Sequence, residues 1–208
     1  MEKKLFYGIG RRCINPEMPI SLSGYFNIRM WTGILDDIEV RTLVMRQNNQ
    51  YCALVQFDLV TVSEALAEAF YTEIADVKVI SRKNVILTAI HSHTAPEVRP
   101  DRVGSNPEYL LFAARKAAKA VGEALNNMCP GKLFTGITQD NRFCFNRRYW
   151  MKNGTVVTNP GKLNPDILRP EGEVDYEIPL MGIQNNGELK VIIANIVNHT
   201  DCIAGTQV

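Results

Sequence analysis

The chain has 208 residues, of which 46% are hydrophobic and 22% charged, with a formal net charge of +1 at pH 7. This balance suits one globular domain with a substantial core and excludes an electrostatic nucleic-acid groove, since the densest basic spots are the pairs Arg11-Arg12 and Arg147-Arg148 without interleaved aromatics. No apolar run approaches the ~20 residues of a transmembrane helix. The opening Met1-Glu2-Lys3-Lys4-Leu5 leads into Gly8, Gly10, Arg11 and Arg12 and not into an apolar signal core. That start reads as cytoplasmic, with a secreted form whose signal has been removed as the alternative. Five cysteines (Cys13, Cys52, Cys129, Cys144, Cys202), odd in number and without C-x-x-C spacing, fit reduced thiols better than a disulfide framework.

In chain order, the apolar runs Thr42–Arg46 and Tyr51–Phe57 flank Gln47-Asn48-Asn49-Gln50, where Asn tolerates the positive φ of a tight hairpin. Thr61-x-x-Glu64 offers a capping box, and Val62, Leu66, Ala69, Phe70 and Ile74 follow at helical spacing. Val85 to Ile90 is continuously apolar, as expected of a central strand covered on both sides. Ser105-x-x-Glu108 with Pro107 opens a second helix, whose Leu110, Leu111, Ala114, Ala118, Val121 and Leu125 keep one face apolar up to Cys129-Pro130-Gly131. Then come a strand near Lys132 to Thr138, a hairpin at Asn153-Gly154, a Pro/Gly/Asn-rich loop from Thr158 to Gly172, and a hairpin at Asn186-Gly187 feeding Val191 to Val197. The pattern predicts an α/β fold with a mixed β-sheet, several β-hairpins and flanking helices, in a single domain over residues 1–208. The chain halts at Gly205-Thr206-Gln207-Val208 without a closing element and reads as cut short at its C-terminus.

All three histidines come directly after apolar runs: His91 and His93 after Val85–Ile90, and His199 after Val191–Asn198. A histidine taken alone is usually a surface or hydrogen-bonded core residue, but strand ends are where α/β proteins build their sites. If the strand continues, His91 and His93 project to one side, about 6 to 7 Å apart along it. Two such imidazoles and a third from another strand could supply most of a zinc site. Asp58, at the end of a neighbouring run, is either an orienting partner for a ligand histidine or a cap for the helix near Thr61.

Several segments, read together, resemble the neutral/alkaline (non-lysosomal) ceramidase family. Gly8-Ile9-Gly10-Arg11 with Ile14-Asn15-Pro16 and Gly24-Tyr25 is similar to its "G-x-G-x-x-D-I-T-P…GY" start, with Cys13 in place of the usual Asp. Asp37-Ile38-Glu39-Val40-Arg41 and Phe57-Asp58-Leu59 resemble its "D-x-x-x-R" and "x-x-D-x" segments. Ala89-Ile90-His91-Ser92-His93-Thr94-Ala95-Pro96 is similar to "A-T-H-T-H-S-G-P", with Ala95 where Gly is usual. Asn146-Arg147 resembles its "N-R", and Val174-Asp175 through Ala194-Asn195-Ile196-Val197-Asn198-His199-Thr200 resembles the stretch ending "N-x-x-x-H-x-T".

The resemblance implies the metal-binding N-terminal part of a zinc-dependent amidase that cleaves the N-acyl bond of ceramide-like lipids. It implies His91 and His199 as zinc ligands, His93 as a second active-site histidine, and Arg147 as a substrate-side or oxyanion-stabilising cation. The family completes its site with a Glu, a Tyr and a Ser that would lie beyond residue 208. The expected partners are therefore Zn²⁺ and an N-acyl substrate, with neither nucleic acid nor a transmembrane segment. The alternative is a non-catalytic metal- or ligand-binding module. A metallo-β-lactamase-type reading of His91-x-His93 is disfavoured, because Ala95-Pro96 and Glu97-Val98 stand where Asp-His would follow.

Overall fold

A computed structural model describes residues 4–199 and 201. Its strands and helices are, in chain order, β1 (Leu5–Cys13), β2 (Ser21–Leu22), β3 (Arg29–Met30), β4 (Glu39–Gln47), β5 (Gln50–Phe57), α1 (Glu64–Glu73), β6 (Val85–Ala89) and α2 (Pro107–Asn126). They continue with β7 (Cys129–Gln139), β8 (Arg148–Met151), β9 (Val156–Thr158), β10 (Ile167–Pro170), β11 (Glu177–Asn185) and β12 (Glu188–Ala194). A seven-stranded mixed sheet runs in the order β12-β11-β7-β1-β4-β5-β6, and there are also a three-stranded sheet β10-β8-β9 and the two-stranded β2-β3. The α/β expectation, with its mixed sheet, hairpins and helices, is borne out. The chain divides into two compact units, residues 1–132 with 199–208, and residues 133–198.

In the first unit the predicted Asn48-Asn49 turn joins β4 to β5, with Asn48 at φ 55° as the tight connection requires. Parallel pairing of β6 with β5 then needs a crossover, which α1 supplies. The cap of α1 is Ser63, whose side chain accepts from the Leu66 N–H at 3.2 Å, two residues beyond the predicted Thr61. Asn106, next to the predicted Ser105, caps α2 by accepting from Glu108 and Tyr109, with Pro107 in the first turn.

Helix α2 packs across β1 and β4, and α1 packs against α2. Small residues set the spacing. Ala113, Ala114, Ala117, Ala120 and Ala124 are fully buried, and a Cβ at Gly8 or Gly10 of β1 would stand 1.8 Å from the Ala124 carbonyl oxygen or 1.9 Å from that of Ala120. Glycine is required there for close approach of helix and strand.

Three expectations are corrected. Strand β6 is last in the sheet order and not central: Val85 and Leu87 pack on the core while Ile86 is 65% exposed, so its apolar run is covered on one side. Helix α2 ends at Asn126, and Cys129-Pro130-Gly131 opens β7, pairing with Tyr7, Phe6 and Leu5. In the second unit both Asn-Gly turns form hairpins, with Asn186 and Gly187 at φ 50° and 81°. The stretch from Thr158 to Gly172, expected to be all loop, contains β10, which pairs with β8.

Among the described residues Cys13, Cys52, Cys129 and Cys144 are thiols outside any disulfide, and Cys202 lies outside the described residues. No helix of the described chain is long and apolar enough to cross a membrane.

Candidate metal centre

Strand β6 stops at Ala89, but its ladder with the chain after β5 goes on: the Ile90 N–H donates to the Phe57 carbonyl at 3.1 Å and the Ser92 N–H to that of Leu59 at 3.1 Å. Between these two rungs His91 adopts φ 65°, the left-handed region that a non-glycine residue enters only at a cost. That turn decides the site. An extended backbone spaces residues i and i+2 about 6 to 7 Å apart along the strand; here the two rings stand with their centroids 4.9 Å apart. The chain from 93 to 97 is strapped to residues 21–29. The Ser23 N–H donates to the Ala95 carbonyl at 2.8 Å, the Glu97 N–H to that of Ser21 at 2.9 Å, and the Arg29 guanidinium to the carbonyls of Ser23 and His93.

His199 falls in the same compact unit, and its ring completes a near-equilateral triangle, with centroids 4.9 Å from His91 and 4.8 Å from His93, all edge-on. One nitrogen from each ring lies within 4.8 Å of the other two, close enough to hold a metal ion. The hydrogen bonds sort the nitrogens. His91 Nδ1 is 2.9 Å from the Val60 carbonyl oxygen, which can only accept, so Nδ1 carries a proton and, in the neutral ring, the lone pair is at Nε2. This carbonyl-to-imidazole contact is the usual way of aiming a ligand histidine. His199 Nδ1 accepts the Asp201 N–H at 3.3 Å.

Both ring nitrogens of His93 are buried without a hydrogen-bond partner, an arrangement that native structures rarely leave unexplained. Burial pushes its pKa below the ordinary value, which the charges of His199, His91 and Arg29 reinforce and that of Asp201 opposes. A neutral imidazole with an unpaired nitrogen beside two others is the donor set of a borderline-soft cation, so the residues fit a zinc ion.

A cleft of about 390 Å³ opens beside the triad, lined by Tyr25, Phe26, Val60, Thr61, His91 and His93 together with Arg99 and Arg102. Behind it Glu97 is 4% exposed and receives Arg99 through its backbone and guanidinium and the Ser23 hydroxyl at 3.0 Å. Burial would raise the Glu97 carboxyl, but these hydrogen bonds outweigh it and hold the group below its usual range.

The structure thus brings together His91, His93 and His199. Arg147 belongs to the second unit, exposed just ahead of β8. Asp58 does neither of the jobs foreseen for it. Its Oδ1 accepts Arg41 Nη1 at 2.7 Å and its Oδ2 the Glu39 N–H at 3.0 Å, and the orienting contact to His91 comes from the Val60 backbone. Sequence reading missed Val60, because a main-chain carbonyl leaves no residue signature. It also missed Asp201, a carboxylate two residues after a ligand-type histidine, which was there to be read.

Comparison with known proteins finds no matching protein-family model and no matching curated sequence. Solved structures do match. A neutral ceramidase from Pseudomonas aeruginosa superposes with a TM-score of 0.75 at 19% identity, over 98% of this chain and 33% of that one. A ceramidase complexed with C2 gives a TM-score of 0.74 at 21% identity, over 96% and 32%. The chain spans about a third of the length of these solved structures. At such identities the likeness is one of architecture: this chain has a ceramidase-like fold, that of the neutral ceramidases its sequence resembles.

Proposed function

We propose that this chain provides the zinc-binding part of an amide hydrolase acting on N-acyl lipids of the ceramide class. The observation that carries the reading is the convergence of His91, His93 and His199 on a fold shared with neutral ceramidases. His91 and His199 hold the ion, with His91 offering Nε2 because Val60 occupies Nδ1. When bound, zinc polarises a carbonyl and lowers the pKa of water near neutrality. His93, kept neutral by burial, takes up or delivers a proton at its free ring nitrogen during amide cleavage. The cleft beside it, with Tyr25, Phe26 and Val60, suits the apolar part of an N-acyl chain. Arg147 is the cation proposed to stabilise the developing oxyanion.

The resemblance puts the remaining Glu, Tyr and Ser of such a site outside these 208 residues. The 208-residue chain is therefore expected to bind zinc with moderate affinity and to hydrolyse N-acyl sphingoid lipids poorly, while a longer form carrying those groups hydrolyses them. Calorimetry with Zn²⁺ on metal-stripped protein and a fluorescent N-acyl sphingosine assay on both forms test this. No zinc binding, or vigorous turnover by the chain alone, would overturn it. The second reading is a metal-binding module without turnover, favoured by a cluster that contains only histidines among the described residues. It predicts zinc binding and an inactive longer form.

A further inference from the structure

His93 is the ring whose placement most needs an explanation, since its side chain is 11% exposed and neither nitrogen has a hydrogen-bond partner. A buried imidazole that presents one nitrogen to a reaction must have its tautomer set at the other. Across from His93 Nδ1, at 3.7 Å, stands Oδ2 of Asp201. The other carboxylate oxygen of Asp201 is anchored, accepting the Tyr25 hydroxyl at 2.7 Å. Tyr25 is itself fixed, with its ring edge-on to His93 at 5.6 Å and the Arg29 guanidinium over its face at 4.0 Å. That guanidinium also binds the main-chain carbonyl of His93. Tyr25, Arg29, His93 and Asp201 thus form a closed loop of contacts within one compact unit.

We propose that Asp201, held by Tyr25, is the positioning residue for His93: its Oδ2 accepts the Nδ1–H of the imidazole and leaves the Nε2 lone pair free for chemistry. The 3.7 Å separation exceeds a hydrogen bond of ~2.9 Å by about 0.8 Å, which a small rotation of the carboxylate about its Tyr25-anchored oxygen closes. The consequence for zinc rests on the proposed function, whereas the tautomer of His93 does not.

The test is long-range ¹H–¹⁵N NMR of the full chain, metal-free and with zinc, in which three histidines give few enough signals for His93→Gln to assign them. The expected result is His93 protonated at Nδ1 in both states of the wild type. In Asp201→Asn the metal-free tautomer shifts toward Nε2–H, while zinc, held by His91 and His199, stays bound about as tightly as in the wild type. Tyr25→Phe, which removes only the hydroxyl, moves the tautomer in the same direction by less, and carries the test should Asp201→Asn fail to fold. Asp201→Glu restores part of the Nδ1–H population, which a merely structural carboxylate would not do. A wild-type His93 protonated at Nε2, or a His93 spectrum unchanged in both variants, overturns the assignment. Absence of zinc binding by the wild type overturns the proposed function instead, and the metal-free spectra still decide the role of Asp201.

Discussion

The backbone of Gly24 lies flat against the imidazole of His93, so close that a Cβ on residue 24 would meet ring Cγ and Nδ1 at 2.5 Å each. Gly24 also adopts φ +99°, a conformation that L side chains rarely take. The glycine next to Tyr25 in the resemblance therefore has a physical role, forming one wall of the pocket in which His93 is packed.

Replacing that wall should damage the site more than the fold. In Gly24→Ala the new methyl group drives the His93 ring aside, and the backbone strain adds about 1–2 kcal/mol. We expect far-UV circular dichroism close to wild type, a His93 NMR signal displaced from its native position, and zinc largely retained, since His91 and His199 hold it. A native His93 signal in this variant would show that the loop from 21 to 25 yields without moving the ring.

The three histidines should not respond alike. With His91 and His199 as the ligands, His91→Ala and His199→Ala are expected to lose bound zinc, while His93→Ala keeps most of its zinc and in the longer form loses about 10²-fold or more in rate. Zinc per chain, measured by elemental analysis after dialysis against a buffered metal, distinguishes the roles. Equal loss in His91→Ala and His93→Ala would make His93 a third ligand, an outcome that the 4.9 Å separation of the two rings permits.

Acid should weaken the loop behind the site. Glu97 is held below its ordinary pKa, so it favours the folded state fully above the unfolded value near ~4.3, and that contribution fades as pH falls through the folded pKa. Glu97→Gln is expected to cost about 1–2 kcal/mol at pH 7, through the hydrogen bonds from Ser23 and Arg99 that it weakens, and to flatten the fall in stability below about pH 4.3. Urea melts from pH 3 to 7 on both proteins would show this. Parallel curves would mean that other carboxylates carry the acid dependence.

Much of the architecture was legible because the signals are local. Asn48, Asn186 and Gly187 occupy the positive φ values that tight turns demand, Pro107 begins a helix where its missing N–H is harmless, and apolar spacing places Leu66, Phe70 and Ile74 in the core. Caps slipped by one or two residues, from Thr61 to Ser63 and from Ser105 to Asn106, since neighbouring polar side chains compete for the same free N–H groups. The place of β6 was misread because an apolar run says that a strand is buried somewhere, but not on how many sides.

By itself the sequence determined which residues are candidates for a site: three histidines, each after an apolar run, and residue patterns like those of the ceramidases around them. Whether those histidines meet was decided only in three dimensions. The left-handed turn at His91, between the rungs at Ile90 and Ser92, breaks the strand's period-two alternation where the rings of His91 and His93 meet, 4.9 Å apart. His199, 106 residues after His93, joins them only through the tertiary fold. The choice of nitrogen on His91, set by the Val60 carbonyl, and the wall built by Gly24 are properties of main chain brought close by packing, which side-chain identity along the sequence does not encode.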